Sequence, residues 1–229
     1  MAHRVCTDSR TVRAGDLFIA IKGDRFDGHD YLAEAASMGA AAILMNHAAI
    51  AMAPAEIPCV VVNDTVAALG KLAKSYWSEF NMTAIAVCGS NGKTTTKELV
   101  ASVLSPHMVT LKSQASFNNH IGVPLTLLQA ESRHKAAVLE AGTNHPGELA
   151  PLLDMIRPAL GVITSIGREH LEHFGDLAGV VEEEGTIADY LPATGKLFAN
   201  GDSPEVDRIA ERAQCAVVRV GESAACDLR

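Results

Sequence analysis

Aromatic residues are scarce in this sequence, at 4% of 229 residues, so its core must be built mainly from alanine, valine, leucine and isoleucine. Positive charge is also in short supply, because 19 lysines and arginines stand against 27 aspartates and glutamates, for a net charge of −8. That balance argues against a protein that holds nucleic acid by neutralising its phosphates, and we expect no nucleic-acid partner. A nucleotide ligand stays open, since a few backbone amides and one lysine can hold a triphosphate locally.

The cysteines are few and widely separated. There are five, at Cys6, Cys59, Cys88, Cys215 and Cys226. An odd number, with no CxxC pair and no cysteine–histidine ligand spacing, predicts reduced thiols used as small apolar residues in a cytoplasmic protein. The sequence also has no N-terminal signal segment and no apolar run of about 18 residues, so we expect neither secretion nor a membrane span.

The first part of the chain, residues 1–81, predicts a small α/β domain. Short apolar runs followed by turn residues favour three strands, at 16–21, 41–45 and 59–62. Asp30 can cap a helix that Gly39 ends, and Asn63 or Asp64 can cap a longer helix. The apolar residues of that longer helix repeat at the helical period and predict one buried stripe, made of Val66, Leu69, Ala73, Tyr76, Trp77 and Phe80.

A second domain is predicted over residues 82–229, after a hinge at Asn81-Met82. In it, short apolar runs alternate with helical patterns, which is typical of an α/β fold with a mainly parallel sheet and helices on both faces. The predicted strands are 83–88, 136–140, 160–166, 196–200 and 216–220. The predicted helices begin near residues 94, 148, 177 and 204.

A phosphate-binding loop is predicted where the first strand of this second domain runs into a helix. Its residues are Gly89, Ser90, Asn91, Gly92, Lys93, Thr94 and Thr95. Glycines let backbone N–H groups approach phosphate oxygens, and the helix N-terminus adds positive potential. Lys93 can reach the β- and γ-phosphates of ATP, and the Thr94 hydroxyl can bind Mg²⁺. The generic motif has one more glycine where this chain has Val87, so the fit to that motif is partial.

Two other strand ends carry polar residues that could complete a metal site. Glu140 stands at the end of the strand at 136–140, where P-loop enzymes commonly place a metal-binding acid, although a solvated loop glutamate is the alternative. His170 and His173 follow the strand at 160–166 and could share a helix face. Two histidines do not make a zinc site, and a structural role for each stays open.

The phosphate loop, short of its first glycine, resembles that of the Mur ligases and the related folylpolyglutamate synthases. Residues 117–128, Phe-Asn-Asn-His-Ile-Gly-Val-Pro-Leu-Thr-Leu-Leu, resemble the branch of Mur ligases that adds D-alanyl-D-alanine to a UDP-linked muramoyl tripeptide. Residues 7–10, 15–18 and 27–29 are similar to the N-terminal uridine-nucleotide domain of that family. The resemblance extends through about residue 202, and it implies a UDP-substrate domain followed by a P-loop domain that binds ATP.

The resemblance also implies an ATP- and Mg²⁺-dependent amide ligase of peptidoglycan precursor synthesis, which works through an acyl phosphate. The catalytic residues would be Lys93, Glu140, His170 and Glu184. The magnesium ligands would be Thr94, Glu140, His170 and Glu184. Ser9 and Arg10 would lie near the uridine diphosphate, and Asn118 and Asn119 near the substrate or the γ-phosphate. The partners would be UDP-N-acetylmuramoyl-peptide and D-alanyl-D-alanine, bound by a monomer.

Two departures from the family pattern carry expectations of their own. The family usually has a carbamoylated lysine on the helix after the His170 segment, and this chain has Glu184 there. We predict that its carboxylate replaces the carbamate, with an acidic solvated helix face over residues 182–184 as the alternative. The family also has an opening helix before Asp8 and a C-terminal domain that binds the amine substrate. Neither is found here, so the chain is predicted to be a fragment that binds nucleotide but turns over poorly.

Three other functions stay open at this point. They are a Mur ligase that adds a diamino acid to the UDP-dipeptide one step earlier, a non-catalytic nucleotide-binding module, and a generic P-loop ATPase. Residues 117–128 favour the D-alanyl-D-alanine branch over the first of these. A generic ATPase would have no need of residues 8–10.

Overall fold

The computed structural model describes residues 2–229. The chain divides into two compact units, and the division falls between Ala73 and Lys74. The predicted hinge at Asn81-Met82 lies a short distance beyond that division, and the assignment of two domains on either side of it stays a prediction. Over residues 2–229, no helix combines the length and the apolar character needed to cross a bilayer.

The first unit is built on a four-stranded parallel sheet with the strand order β1-β2-β3-β4. Its strands are β1 (Arg4–Cys6), β2 (Asp16–Ile19), β3 (Ala42–Asn46) and β4 (Cys59–Val62). Its helices are α1 (Leu32–Ser37) and α2 (Thr65–Trp77), of which the second continues into the other unit. Short 3₁₀ helices lie at Ser9–Thr11, Gly28–Tyr31 and His47–Met52. The core packs α1 against fully buried side chains of β2 and β3.

The two predicted helix starts in this unit turned out differently. Asp64 is the cap of α2, because its Oδ1 accepts hydrogen bonds from the backbone N–H groups two and three residues later, at 2.8 and 2.9 Å. The prediction that Asp30 caps a helix is wrong. The chain first makes a 3₁₀ turn capped by Asp27, whose carboxylate accepts from the His29 N–H at 3.0 Å. The α-helix begins only at Leu32.

The second unit contains six strands and six helices over residues 74–229, besides the end of α2. The strands are β5 (Thr83–Cys88), β6 (Thr110–Lys112), β7 (Ala136–Glu140), β8 (Leu160–Ile163), β9 (Lys196–Asn200) and β10 (Ala216–Val220). The helices are α3 (Lys93–Leu104), α4 (Gly122–Leu127), α5 (Leu149–Ile156), α6 (Leu171–Phe174), α7 (Leu177–Tyr190) and α8 (Pro204–Ala210).

All the strand pairs of this sheet are parallel, in the order β10-β9-β8-β5-β7-β6. The connection from β5 to β6 contains α3 and runs towards the β6 edge of the sheet. The later connections, from β6 onwards, all run in the opposite direction, towards β10. Because such connections are right-handed, α3 packs on one face, and α5, α7 and α8 lie side by side on the other. This confirms the predicted α/β fold with a mainly parallel sheet covered on both faces.

Strand β5 lies in the middle of the sheet, between β7 and β8. Its side chains are almost all buried, and Ile85 and Val87 pack with Ala101 of α3 and Val138 of β7. In a parallel sheet the carboxyl ends of neighbouring strands share one edge. The loops that follow β5, β7 and β8 therefore converge, which brings together three segments that are far apart in sequence.

Four short elements were not predicted, namely β1, β6, α4 and α6. The two strands have three residues each and lie at sheet edges, so their sequences lack a long apolar run. Helix α4 includes Pro124, a residue that usually indicates a loop. The predicted strand at 160–166 ends instead at Ile163, because the next residues turn towards the phosphate loop and bind it.

Candidate functional site

The predicted phosphate loop lies at the carboxyl end of β5 and runs into the first turn of α3. Gly89 and Gly92 both have positive φ, +113° and +86°, which favours glycine at each position. A Cβ at Gly89 would also come within 2.5 Å of the Thr164 hydroxyl and 2.8 Å of the Ser165 carbonyl oxygen. The glycine is thus required by the close approach of the turn after β8 as well as by the backbone conformation.

The turn after β8 braces the phosphate loop from the side. The Ser90 N–H donates to the Ser165 carbonyl at 2.7 Å, and the Gly167 N–H donates to the Ser90 Oγ at 2.8 Å. The Thr164 hydroxyl donates to the Asn91 carbonyl at 2.7 Å. These bonds hold the loop's backbone in place without using Lys93 or Thr94.

Lys93 is the cation of the loop. Its Nζ donates to the carbonyl oxygens of Gly89 at 2.5 Å and Ser90 at 3.0 Å, so the ammonium group lies over the loop itself. Both acceptors are neutral backbone groups, which leaves the positive charge uncompensated by any carboxylate in hydrogen-bonding contact within residues 2–229. A phosphate ester would be a stronger partner for it.

Glu140, at the end of β7, lies directly beside the loop. It is 1% exposed, and its Oε2 accepts from the Thr94 hydroxyl at 2.8 Å. Its Oε1 accepts from the Asn118 side-chain amide at 2.8 Å. The alternative of a solvated loop glutamate is excluded by this burial. The structure therefore brings together Thr94, Glu140 and Asn118, three of the residues singled out from the sequence.

The neighbouring Asn119 has a different place. Its Oδ1 accepts from the backbone N–H groups of Ile121 at 3.1 Å and Gly122 at 2.9 Å, where it closes the turn before α4. The side-chain carbonyl thus stabilises the local backbone. The side chain is exposed, and its hydrogen bonds to these two N–H groups do not involve Glu140.

Lys97 completes this group of residues, and it was missed in the sequence. It is fully buried on α3, and its Nζ donates to the carbonyls of Ser113 at 2.9 Å and Ala115 at 2.6 Å. The same ammonium group lies 3.1 Å from Glu98 Oε1 and 3.9 Å from Glu140 Oε2. Its position four residues after Lys93, on the same face of the helix, is the sequence signal that could have found it.

Ala115 has an unusual backbone conformation, with φ at +44°. A left-handed conformation costs a non-glycine residue about 1–2 kcal/mol, and a glycine at that position would relieve this strain. Glycine also makes the unfolded chain more flexible, which lowers the stability of the folded state by about 0.5–1 kcal/mol. We therefore expect Ala115→Gly to leave the free energy of unfolding unchanged or raise it by up to about 1.5 kcal/mol, measured in urea. Ala178→Gly, at an exposed position of α7, is the control and should lower it by up to about 1 kcal/mol. A loss at Ala115 as large as at Ala178 would contradict the strain argument.

The three consecutive glutamates of α7 lie in three different environments. Glu182 is exposed and pairs with Arg212 at 3.2 Å. Glu183 is buried and accepts from the N–H groups of Gly147 at 2.7 Å and Leu149 at 2.8 Å, at the start of α5. Glu184 is fully buried against the phosphate loop. A solvated acidic face thus describes Glu182 alone.

The Glu184 carboxylate is held at one oxygen only. Its Oε2 accepts from the Gly89 N–H at 2.8 Å, and its Oε1 is buried with no hydrogen-bond partner anywhere in residues 2–229. Burial raises the pKa of this carboxyl to about 7, while the Lys93 charge and the Gly89 hydrogen bond act in the opposite direction. An orphaned buried oxygen next to a phosphate loop is a place where a cation could bind.

His170 and His173 do not share a continuous helix face. His170 precedes α6 with φ at +50°, and its nearest acidic partner is Glu172, at 3.9 Å. His173 instead stacks on His145, with ring centroids 4.0 Å apart. Across residues 2–229, no three histidine, cysteine or acidic side chains converge as a ready-made metal site. The role of His170 as a metal ligand stays a prediction.

The residues predicted for the uridine nucleotide lie in the first unit. Ser9 is buried, and the exposed Arg10 guanidinium binds Asp8 through two hydrogen bonds of 2.9 and 2.7 Å, which lower the pKa of that carboxyl. The segment from Thr7 to Arg10 lines a cavity of about 440 Å³ together with Phe18, Ile21, Phe26, Gly28, Tyr31 and Glu34. The cavity is large enough for part of a nucleotide and offers both aromatic and hydrogen-bonding groups.

Comparison with known families agrees with this arrangement. The family model named Mur ligase middle domain matches residues 87–229. The family model named Mur ligase family, catalytic domain, matches residues 2–77. The chain belongs to the Mur ligase family. The resemblance stated from the sequence is therefore confirmed. The match to the middle domain begins at the end of β5 and includes the phosphate loop, Glu140 and Glu184.

Several curated relatives of this Mur ligase chain are named for one reaction. The chain is 40% identical over 202 residues to the UDP-N-acetylmuramoyl-tripeptide–D-alanyl-D-alanine ligase of Bacillus subtilis (strain 168). This match covers 88% of this chain and 44% of the relative. The chain is 39% identical over 199 residues to the ligase of the same name from Escherichia coli (strain K12), covering 87% of this chain and 43% of the relative. The chain thus spans about half the length of the curated relatives it matches.

A solved structure of the same type has a closely similar fold. The MurF ligase of Thermotoga maritima, crystallised in complex with ADP, superposes with a TM-score of 0.87 at 30% identity, covering 97% of this chain and 51% of that one. At that level of similarity, the fold of this chain is that of a MurF structure over nearly all its residues.

Proposed function

We propose that this chain supplies the UDP-substrate-binding and ATP-binding portions of a ligase that joins D-alanyl-D-alanine to UDP-N-acetylmuramoyl-tripeptide in peptidoglycan precursor synthesis. Residues 1–81 would bind the uridine nucleotide, and residues 82–229 would bind ATP. The observation that carries the proposal is the glycine loop at the end of β5, with Lys93 over it and the Thr94–Glu140 pair beside it. The named reaction of the relatives supplies the substrates.

The reaction sets a clear physical demand. A carboxylate is a poor acyl donor, because its leaving group would be oxide. Phosphoryl transfer from ATP to the substrate carboxylate breaks the bond to ADP and forms an acyl phosphate. The amine of D-alanyl-D-alanine then attacks the acyl carbon, a C–N bond forms, and phosphate and a proton leave. The site must therefore bring two anions together and hold them in line.

The phosphate loop meets the first part of that demand. The loop amides and the N-terminus of α3, a helix of 12 residues, direct positive potential at one point. Lys93 adds a full charge, and its present partners are two loop carbonyls, which a phosphate oxygen could replace. These groups would hold the β- and γ-phosphates of ATP against the end of β5.

The oxygen groups around the loop fit a magnesium ion. The Thr94 hydroxyl and the Glu140 carboxylate lie side by side, joined by a hydrogen bond of 2.8 Å, and Glu184 has a buried carboxylate oxygen without a hydrogen-bond partner in residues 2–229. Such hard oxygen donors are the ligands that Mg²⁺ prefers. When bound, the ion would offset the charge of the phosphates and of the two carboxylates. We propose Thr94, Glu140 and His170 as ligands of this ion, and Glu184, in the place of the carbamoylated lysine, as a ligand of a second magnesium ion.

The remaining residues would position the substrate. Ser9 and Arg10 would contact the uridine diphosphate from the cavity of the first unit. Asn118 is tied to Glu140 and would lie near the γ-phosphate or the substrate carboxylate. Asn119 would support that position through the turn it closes before α4.

Calorimetry and a nucleotide assay test the proposal together. We expect the chain to bind an ATP analogue in the presence of Mg²⁺ and, separately, UDP-N-acetylmuramoyl-tripeptide. Repeated release of ADP should require ATP, the UDP-tripeptide and D-alanyl-D-alanine together, because the amine is needed to consume the acyl phosphate. Binding with no ADP release from the complete mixture would favour a non-catalytic nucleotide-binding module. Release from ATP alone would indicate a generic ATPase, and activity only with UDP-dipeptide and a diamino acid would indicate the other ligase branch.

A further inference from the structure

Lys97 is a buried charge that the proposed mechanism does not use. Its side chain is fully inaccessible to solvent, so its ammonium group cannot touch a nucleotide bound on the loop. A lysine is rarely found fully buried unless its charge and its three donors are satisfied. Here the partners are two backbone carbonyls and the Glu98 carboxylate, with the Glu140 carboxylate 3.9 Å away.

The two carbonyls belong to the segment 113–119, which lies between β6 and α4 and which we call the asparagine loop. Lys97 accounts for the unusual backbone of this loop, because the carbonyl it binds most closely, at 2.6 Å, belongs to Ala115 with its positive φ. Strained backbone persists where surrounding contacts determine it, and such positions cluster at functional sites. The ammonium group binds two carbonyls of the loop and is the contact made at the strained residue itself.

The asparagine loop is in turn bonded twice to Glu140 and once to Gly142, just after the end of β7. Ser113 Oγ accepts from the Glu140 backbone N–H at 3.1 Å, and the Asn118 side-chain amide donates to Glu140 Oε1 at 2.8 Å. The Asn118 carbonyl accepts from the Gly142 N–H at 2.9 Å. A Cβ at Gly142 would lie 2.8 Å from the Asn118 side-chain nitrogen, so the loop and the end of β7 are in tight contact.

We infer that Lys97 is a positioning residue, which fixes the asparagine loop and thereby aligns the Glu140 carboxylate with Thr94 for a magnesium-bound phosphate. The inference rests on the proposed nucleotide site. Groups that orient a metal ligand do not touch the metal, yet removing one typically lowers the metal affinity by about 10–100-fold. Lys97 acts on Glu140 in this way, both through the loop and through its charge.

Lys97→Met tests this role, because methionine keeps the unbranched stem and most of the length of the side chain and removes the charge and the donors. We expect the affinity for ADP with Mg²⁺ to fall by about 10-fold or more, and the affinity for ADP in EDTA to change by less than about 3-fold. Calorimetry measures both. A merely structural role would lower both affinities alike, and that result would overturn the inference.

Lys112→Met is the matched control. Lys112 lies just before the asparagine loop, is about half exposed and pairs with Glu98, the same acid that Lys97 contacts, yet it makes no contact with the loop carbonyls within residues 2–229. Its substitution should leave both affinities unchanged. In addition, Lys97→Met and Asn118→Ala should not be additive, since both interrupt one chain of contacts to Glu140. Full additivity, or an equal effect at Lys112, would contradict the positioning role.

Hydrogen exchange of the nucleotide-free protein separates this inference from the proposed function. The amides of Glu140 and Gly142 donate to the asparagine loop, so they should exchange about 10-fold faster in Lys97→Met than in Lys112→Met. Unchanged exchange at both amides would reject the inference whatever nucleotide binding shows. Absence of nucleotide binding by the unmodified chain would reject the proposed function instead. If Lys97→Met does not fold, Lys97→Gln, a neutral donor, takes its place with the same expected ratio of affinities.

Discussion

Lys93→Ala is expected to weaken the binding of an ATP analogue by about 100-fold, because each charge-assisted hydrogen bond to phosphate contributes about 1.5–3 kcal/mol. The variant keeps the glycines and the N-terminus of α3, so binding should weaken rather than disappear. Lys93 donates only to two carbonyls of its own loop within residues 2–229, and the loop is braced independently by the turn after β8. The free energy of unfolding should therefore change little.

Isothermal calorimetry with a non-hydrolysable ATP analogue measures this effect. Lys196→Ala is a suitable control, since Lys196 is an exposed lysine at the first residue of β9 and thus at the opposite edge of the sheet. We expect the control to bind like the unmodified chain. An unaltered affinity in Lys93→Ala would show that the nucleotide does not use this loop, and the ligase proposal would lose its main support.

Glu184→Gln is expected to remove a pH dependence of stability. The pKa of Glu184 is about 7 in the folded chain, against the ordinary glutamate value of 4.5 that applies to the unfolded chain. Below pH 4.5 the carboxyl is protonated in both states and contributes its full stabilisation. Between pH 4.5 and 7 only the unfolded chain has lost the proton, so stability falls as the pH rises, by up to about 3 kcal/mol. Glutamine has no such proton to lose.

Urea unfolding in EDTA at about pH 4 and about pH 8 measures this difference. Glu184→Gln should match the unmodified chain at the lower pH and exceed it by up to about 3 kcal/mol at the higher. Glu182→Gln, at the exposed neighbour on the same helix, should keep the pH dependence of the unmodified chain. Identical pH dependence in both variants would place the Glu184 carboxyl in a solvated environment. With nucleotide and Mg²⁺ present, the advantage of Glu184→Gln should shrink, because a bound cation stabilises the ionised carboxylate.

The phosphate loop could be predicted from the sequence because its parts follow one another in the chain. The apolar strand, the two glycines, the lysine and the helix stand at consecutive positions from 83 to 104, and each has a local signal. Glu140 was predictable for a related reason, since it ends a strand and the ends of parallel strands meet at one edge. That topology places its carboxylate near Thr94, and the two side chains are 2.8 Å apart.

Lys97 and the three glutamates of α7 show where such prediction stops. A lysine on a helix is normally solvated, and the loop that buries Lys97 starts 16 residues later, after another strand. Glu182, Glu183 and Glu184 are identical neighbours, yet a rotation of about 100° per residue turns each to a different surrounding. Which of them meets the phosphate loop depends on how α7 packs on the sheet, and the local sequence does not contain that information.

The parallel pairing of both sheets has a consequence for how the chain acquires its structure. No hairpin joins any two strands of residues 2–229, and β5 pairs Thr83 with Ala136 on one side and Ile85 with Leu160 on the other. The entropy of closing such long loops is lost before the strand contacts stabilise the sheet. Folding is slow for this reason. The phosphate loop follows β5, so we expect it to take its final conformation only after β7 and β8 have paired with β5 on either side. We therefore expect nucleotide to bind only after the sheet has formed, and to have no binding site in the early stages of folding.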